Sequence, residues 1–173
     1  PFQVAFIIGS PRSGTTILQE ILGAHPQVSH FYEPYYIWYY YVSDTTSDYI
    51  PHGEIGDQEV EWIRKQFDRF YKLSGKSLIV DKLPEHAFNI PILARVFPEA
   101  KFIHIMRDGR DVVLSIKKEW EKRKGIVEER SIGRLLKTAT DMFRRQPYWR
   151  FRGLALWHEL RGNFSLDPRR YLN

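Results

Sequence analysis

The chain has 173 residues with a net charge of +5, and 43% of its residues are hydrophobic. That length suffices for one α/β domain with a buried core. The absence of cysteine excludes disulfides and thiolate metal sites, and there is no apolar run long enough to cross a membrane.

The charge is distributed unevenly along the chain. Residues 1–116 carry 11 basic and 14 acidic side chains, whereas residues 117–173 carry 15 and 7. A basic half is typical of nucleic-acid binding. Here glutamates interrupt the basic residues, which favours a solvated helix face. An attraction for a polyanionic ligand or an acidic acceptor is the alternative. We therefore expect no nucleic-acid partner.

The apolar pattern predicts strands that alternate with helices. The predicted strands lie near 3–8, 27–31, 77–81 and 101–106. The predicted helices lie near 14–24, 35–42, 57–73, 88–96, 109–124, 132–146 and 151–161. This alternation predicts an α/β fold, a three-layer sandwich with a mainly parallel central sheet.

A glycine-containing loop follows the first predicted strand. Gly9 and Gly14 have the spacing of the phosphate-binding motif G-x-x-x-x-G-K-[ST], but Thr15 stands at the lysine position. A strand, a glycine turn and a helix N-terminus in this order form an anion site from backbone N–H groups. Arg12 lies inside the turn and supplies a positive charge. The loop therefore indicates binding of a phosphate-like group, and ATP hydrolysis is not its expected function.

A second candidate anion site follows the strand near 101–106. Arg107 lies at the carboxyl end of that strand, and Ser115 lies about two turns into the next helix. Ligands of open parallel sheets bind outside the carboxyl ends of the strands. Arg107 and Ser115 are thus candidates for holding a second phosphate, apart from the first.

Together these segments resemble the sulfotransferases that use 3′-phosphoadenosine 5′-phosphosulfate (PAPS). Gly9-Ser-Pro-Arg-Ser-Gly-Thr-Thr16 is similar to their 5′-phosphosulfate loop, with Arg12 where cytosolic members often carry lysine. Residues 107–115 resemble their 3′-phosphate motif. Asp81-Lys82-Leu-Pro and residues 93–102 resemble the Golgi tyrosylprotein and carbohydrate branches. His25-Pro26, eight residues before Glu33-Pro34, is most similar to the carbohydrate branch.

The resemblance implies a role for each of these residues. Arg12, Ser13, Gly14, Thr15 and Thr16 would bind the 5′-phosphosulfate, and Arg107 and Ser115 the 3′-phosphate. Glu33 would be the base that takes the acceptor proton, with His86 and His104 as second choices. Lys82 would be a catalytic lysine that neutralises the leaving phosphate. Sulfuryl transfer needs no obligatory Mg²⁺, so we expect no metal.

Taken without the family, several of these residues have simpler interpretations. Glu33 could begin a helix, because Pro34 suits a first helical position. Lys82 could be a solvated lysine at a strand end, and Arg107 could pair with Asp108 or Asp111. His104, which alternates with apolar neighbours, is expected to be a packed side chain.

Eight aromatic side chains crowd residues 31–41 around the candidate base. These rings have two interpretations. They could pack in the core, or they could form the wall of an acceptor pocket in which Tyr36 and Trp38 stack on a sugar or aromatic ring.

The expected function is transfer of a sulfuryl group from PAPS to a hydroxyl or amine of an acceptor. Carbohydrate is the first expectation for the acceptor, and protein tyrosine the second. The alternatives are a P-loop nucleoside or small-molecule kinase and a non-catalytic nucleotide-binding module. We expect one sulfotransferase domain over 1–173 that lacks its C-terminal part. A bacterial enzyme would be cytoplasmic, and a piece of a eukaryotic relative would come from the Golgi lumen. The sequence does not indicate an oligomeric state.

Overall fold

Four parallel strands form the sheet at the centre of the molecule. The computed structural model describes residues 1–42 and 47–127 of the chain. The strands are β1 Gln3–Ile8, β2 Val28–His30, β3 Leu78–Lys82 and β4 Lys101–His104. Their order in the sheet is β2-β3-β1-β4, and every pairing is parallel. The four predicted strands are confirmed, with ends that differ by at most two residues.

Helices connect the strands, as the alternating pattern predicts. They are α1 Thr15–Gly23, α2 Tyr35–Trp38, α3 Asp57–Ser74, α4 Ile90–Val96 and α5 Gly109–Val127, with 3-10 helices at His52–Glu54 and Pro84–Phe88. The buried side of α3 includes Ile63, Phe67 and Phe70. The predicted helices at 132–146 and 151–161 lie outside the described residues.

Helices pack on both faces of the sheet, which gives the predicted three-layer sandwich. One face carries a large core in which Phe6 and Ile79 of the sheet meet Phe67 of α3 and Leu93 of α4. The opposite face carries a smaller core formed mainly by β1, β2 and β3, with Leu18 and Leu22 of α1 packed against it. Alternate residues of each strand therefore face different helices.

The second helix is shorter than predicted. The pattern extends it over 35–42, whereas α2 ends at Trp38. A longer helix would not bury so many aromatic rings on one side. Because the helix stops, Tyr39 donates to the carbonyl of Asp48 and Tyr40 stacks on Trp62, at a ring-centroid distance of 4.5 Å.

One burial prediction is wrong. His104 is exposed rather than packed, because β4 forms an edge of the described sheet. On α1, Leu18 and Leu22 pack against the sheet, whereas Ile17 and Ile21 are 67% and 65% exposed. The helical repeat places Ile17 and Ile21 beside the side of α1 that carries Leu18 and Leu22, rather than on it.

Within the described ranges, none of the helices has the length and apolar character needed to cross a membrane.

Candidate functional site

The candidate site lies at the carboxyl edge of the sheet, where β1 and β3 end side by side. Ile7 of β1 is the register partner of Lys82 of β3. The glycine loop begins two residues after Ile7, and Glu33 follows β2, which pairs with the other side of β3. Parallel strands thus bring three of the predicted site segments to one edge.

Two glycines shape the loop after β1, for different reasons. A side chain at Gly9 would lie 2.6 Å from the carbonyl oxygen of Ile105, so the residue that follows β4 leaves no space there. Gly14 has φ 103°, a left-handed conformation that favours glycine, and it is the N-cap of α1. The first turn of α1 contains no acidic side chain. Its unpaired N–H groups therefore face no competing carboxylate from that turn and suit an anion.

Arg12 connects the loop with the second candidate anion site. Its Nε donates to the hydroxyl of Ser115 on α5 over 3.2 Å, and Arg107 donates to the carbonyl oxygen of Arg12 over 3.1 Å. All three side chains are at least partly exposed. Within the described chain no carboxylate pairs with the guanidinium of Arg12. The structure thus brings together three residues that the sequence predicted in two separate motifs.

Arg107 also forms one of the ion pairs that the simpler interpretation predicted for it. Its Nη2 lies 3.7 Å from a carboxylate oxygen of Asp111, in the first turn of α5. Asp108 pairs instead with Arg110. The Arg107–Asp111 pair is exposed and long, so it contributes little energy and leaves the guanidinium able to bind an anion.

Glu33 and Lys82 form an ion pair. The Nζ atom of Lys82 lies 2.6 Å from Oε1 of Glu33. The lysine side chain is only 2% exposed, whereas that of Glu33 is 35% exposed. Lys82 is therefore not the solvated strand-end lysine of the simpler interpretation. Glu33 does not begin a helix either, since Pro34 is the N-cap of α2 and Glu33 precedes it with φ 45°.

Behind this pair lies a buried polar cluster that the sequence did not indicate. Trp38 donates from Nε1 to Oδ2 of Asp81 over 2.7 Å, and Nε2 of His86 lies 3.3 Å from the same oxygen. All three side chains are buried. His86 is thus enclosed, and its ring packs against Phe6 and Trp38.

The burial of Tyr36 and Trp38 contradicts the idea that they form the wall of an acceptor pocket. Both belong to the large core on the α3 side of the sheet. Core packing is the correct interpretation for these two rings.

Glu85 is a second carboxylate that the sequence analysis missed. The hydroxyl of Tyr35 lies 2.8 and 2.9 Å from its two oxygens. Burial raises the pKa of Glu85 above its ordinary value, although the hydrogen bonds that it accepts, including the one from Tyr35, oppose the shift. In the sequence, the only signal for Glu85 is its position soon after a strand end. No sequence signal indicates its hydrogen bond with Tyr35, which lies 50 positions away.

Among the described residues, no group of three or more histidine, aspartate or glutamate side chains is arranged to hold a metal ion.

A parallel sheet with a glycine loop between its first strand and first helix is the architecture of the P-loop-like α/β proteins. A sequence profile of the Sulfotransferase family matches residues 5–164. The chain belongs to this family.

Three similar proteins are named as sulfotransferases. The membrane-associated sulfotransferase kil1 of Dictyostelium discoideum is 31% identical over 123 residues, which cover 68% of this chain and 23% of that protein. A putative protein-tyrosine sulfotransferase of Caenorhabditis briggsae is 30% identical over 124 residues, 66% of this chain and 42% of that protein.

The third is the omega-hydroxy-beta-dihydromenaquinone-9 sulfotransferase Stf3 of Mycobacterium bovis. It is 34% identical over 64 residues, 35% of this chain and 16% of that protein. The matched region thus spans less than half the length of each of these relatives.

Proposed function

We propose that this protein transfers a sulfuryl group from PAPS to an acceptor hydroxyl or amine. The observation that carries the proposal is the hydrogen-bonded group of Arg12, Arg107 and Ser115. It places two guanidinium groups and a hydroxyl beside the N-terminus of α1. A nucleotide with phosphate-like groups at both its 5′ and 3′ positions would need such an arrangement.

In this proposal, the two ends of the donor bind to different parts of the group. The backbone of Ser13, Gly14, Thr15 and Thr16 donates to the 5′-phosphosulfate, together with Arg12. Arg107 and Ser115 hold the 3′-phosphate. Because Arg107 also contacts the loop, binding at one end should stabilise the arrangement at the other.

Glu33 is the proposed base for the acceptor. The acceptor oxygen attacks the sulfur in line with the bond to the bridging oxygen, and that bond breaks as the new one forms. The acceptor proton passes to the carboxylate of Glu33. The sulfate ester and 3′-phosphoadenosine 5′-phosphate leave as products.

Lys82 and Arg12 would stabilise the charge that develops on the leaving phosphate. The ammonium group of Lys82 has three donors, so it can hold Glu33 and still donate to the bridging oxygen. These cationic groups do the work that Mg²⁺ does in phosphoryl transfer, and we propose a reaction without metal.

The proposed acceptor is a carbohydrate, and a protein tyrosine is the second candidate. The carbohydrate proposal rests on the spacing of His25 and Glu33, since Tyr36 and Trp38 are buried and cannot stack on a sugar. The relatives named for a tyrosine and for an omega-hydroxy acceptor support an oxygen nucleophile.

The test measures transfer and binding separately. The full chain is incubated with PAPS and panels of glycans and tyrosine peptides without metal, and a gain of sulfate mass is sought. Calorimetry compares 3′-phosphoadenosine 5′-phosphate with ADP and ATP. We expect preference for the 3′-phosphorylated ligand and sulfate transfer. Better binding of ATP with Mg²⁺ would support the kinase, and donor binding without transfer would support the binding module.

A further inference from the structure

Two short segments, residues 33–38 and 81–86, are joined by three pairs of polar side chains. The pairs are Glu33 with Lys82 at 2.6 Å, Tyr35 with Glu85 at 2.8 and 2.9 Å, and Trp38 with Asp81 at 2.7 Å. Only the first pair contains residues of the proposed reaction. The other two connect the same segments through Asp81, which precedes Lys82, and Glu85, which follows it.

The backbone of Glu33 needs such support. Its φ of 45° lies in the left-handed region, which is unfavourable for a residue with a side chain. A strained conformation of this kind persists only when the surrounding structure holds it in place. The N–H of Tyr35 donates to the carbonyl oxygen of Glu33 over 2.8 Å, so the position of Tyr35 affects Glu33 directly.

Glu85 is itself held firmly. Its main-chain carbonyl accepts a hydrogen bond from Nδ2 of Asn89 over 2.9 Å, and its side chain is buried. The hydroxyl of Tyr35 therefore reaches a fixed acceptor in the segment that also carries Lys82. A buried carboxylate at this point is costly, and its hydrogen bond with Tyr35 is correspondingly important.

We propose that Tyr35 and Glu85 are positioning residues that hold Glu33 against Lys82. Their hydrogen bond fixes the turn after β2, and the turn fixes the carboxylate. Neither residue touches the reacting atoms. The consequence for catalysis rests on the proposed function, whereas the geometric consequence does not.

The first measurement follows turnover and donor binding. Tyr35→Phe removes only the hydroxyl, and Glu85→Met removes the acceptor while keeping volume. In both variants we expect kcat to fall on the order of tenfold, the value of one hydrogen bond, with unchanged affinity for 3′-phosphoadenosine 5′-phosphate. Glu85→Gln still accepts from Tyr35 and should keep the wild-type kcat.

The second measurement does not depend on activity. Reductive methylation followed by peptide mass spectrometry reports how often Lys82 becomes accessible. Tyr35→Phe and Glu85→Met should raise the methylation rate of Lys82 on the order of tenfold, because a tenfold change corresponds to the free energy of about one hydrogen bond. Lys65, whose side chain is 63% exposed, is the internal control and should react equally in every variant.

A matched variant controls for the loss of a tyrosine hydroxyl in general. Tyr71 packs on Phe2, before β1, at a ring-centroid distance of 5.2 Å, so Tyr71→Phe should change neither turnover nor Lys82 methylation. The positioning role is overturned if Lys82 in Tyr35→Phe reacts at the wild-type rate, or if the Tyr71 control shows the same change. Should Tyr35→Phe not fold, Glu85→Met decides by the same criterion.

These readouts separate the two proposals. A wild-type protein that transfers no sulfuryl group would defeat the proposed function, and the methylation rates would still decide the positioning role. A wild-type enzyme that depends on Glu33 while Tyr35→Phe behaves normally would defeat the positioning role alone.

Discussion

Arg107 donates a hydrogen bond to the main-chain carbonyl of Arg12 over 3.1 Å, although 95 positions separate the two residues. The contact joins the segment after β4 to the loop after β1. Any ligand that binds the guanidinium of Arg107 is therefore held next to the loop.

Replacing Arg107 by alanine should remove the preference for a 3′-phosphate. A hydrogen bond between charged groups contributes about 1.5–3 kcal/mol, so affinity for 3′-phosphoadenosine 5′-phosphate should fall by about 10- to 100-fold. Affinity for adenosine 5′-phosphate should change little. Calorimetry with both ligands measures the ratio. Arg110→Ala is the matched control, because Arg110 pairs with Asp108 and is largely exposed. An equal loss for both ligands in Arg107→Ala would contradict the assignment.

Glu33→Gln should abolish turnover while leaving donor binding intact. The amide keeps the shape of the carboxylate and still accepts from Lys82, but it cannot take the acceptor proton. Loss of a general base lowers kcat by about 10²–10⁴-fold. Initial rates with saturating PAPS provide the measurement. Glu61→Gln, at an exposed pair with Lys65, should keep full activity. Wild-type turnover in Glu33→Gln would remove Glu33 from the mechanism.

Gly14→Ala should destabilise the protein through its backbone alone. The added methyl group would meet no atom within 4 Å, so the cost comes from the φ of 103°. We expect the free energy of unfolding to fall by about 1 kcal/mol. Gly53 also has open space, but its φ lies outside the left-handed range, and Gly53→Ala should have almost no effect. Urea denaturation of both variants checks the difference, and equal effects would show that the loop conformation is not the cause.

Glu85 should make stability fall as the pH rises. Burial raises the pKa of Glu85 in the folded protein above its ordinary value of 4.5. The folded state thus binds this proton more tightly than the unfolded state. The contribution of the protonated carboxyl is fully present below pH 4.5 and is lost as the pH rises through the raised pKa.

Glu85→Gln tests this effect, since the amide does not titrate. Thermal unfolding of the wild type and the variant is compared from pH 4 upward. The stability of the variant relative to the wild type should increase with pH until Glu85 is ionised in the folded wild type. A constant difference across this range would mean that Glu85 has the same pKa in both states.

The sequence predicted the parts of the fold that depend on local patterns. Four strands, their parallel arrangement and the loop around Gly14 follow from apolar periodicity and glycine spacing. The pairing of Glu33 with Lys82 agrees with the family resemblance, which assigned roles to both residues but not their contact. The roles themselves stay predictions.

The features that the sequence did not reveal depend on contacts between distant segments. The local pattern does not show that Trp38 donates to Asp81, so the sequence alone leaves core packing and an acceptor-pocket wall open for its ring. The exposure of His104 depends on which strand forms an edge of the sheet. The hydrogen bond of Arg12 with Ser115 spans 103 positions and has no local signal.

Among the described residues with side chains, Arg12 and Glu33 are the two with positive φ, 68° and 45°. Each conformation costs about 1 kcal/mol or more, which glycine would avoid. Directed evolution for heat resistance alone should therefore accept glycine or asparagine at these two positions early. A library screened in this way would become more stable and lose the two side chains on which the proposed chemistry depends.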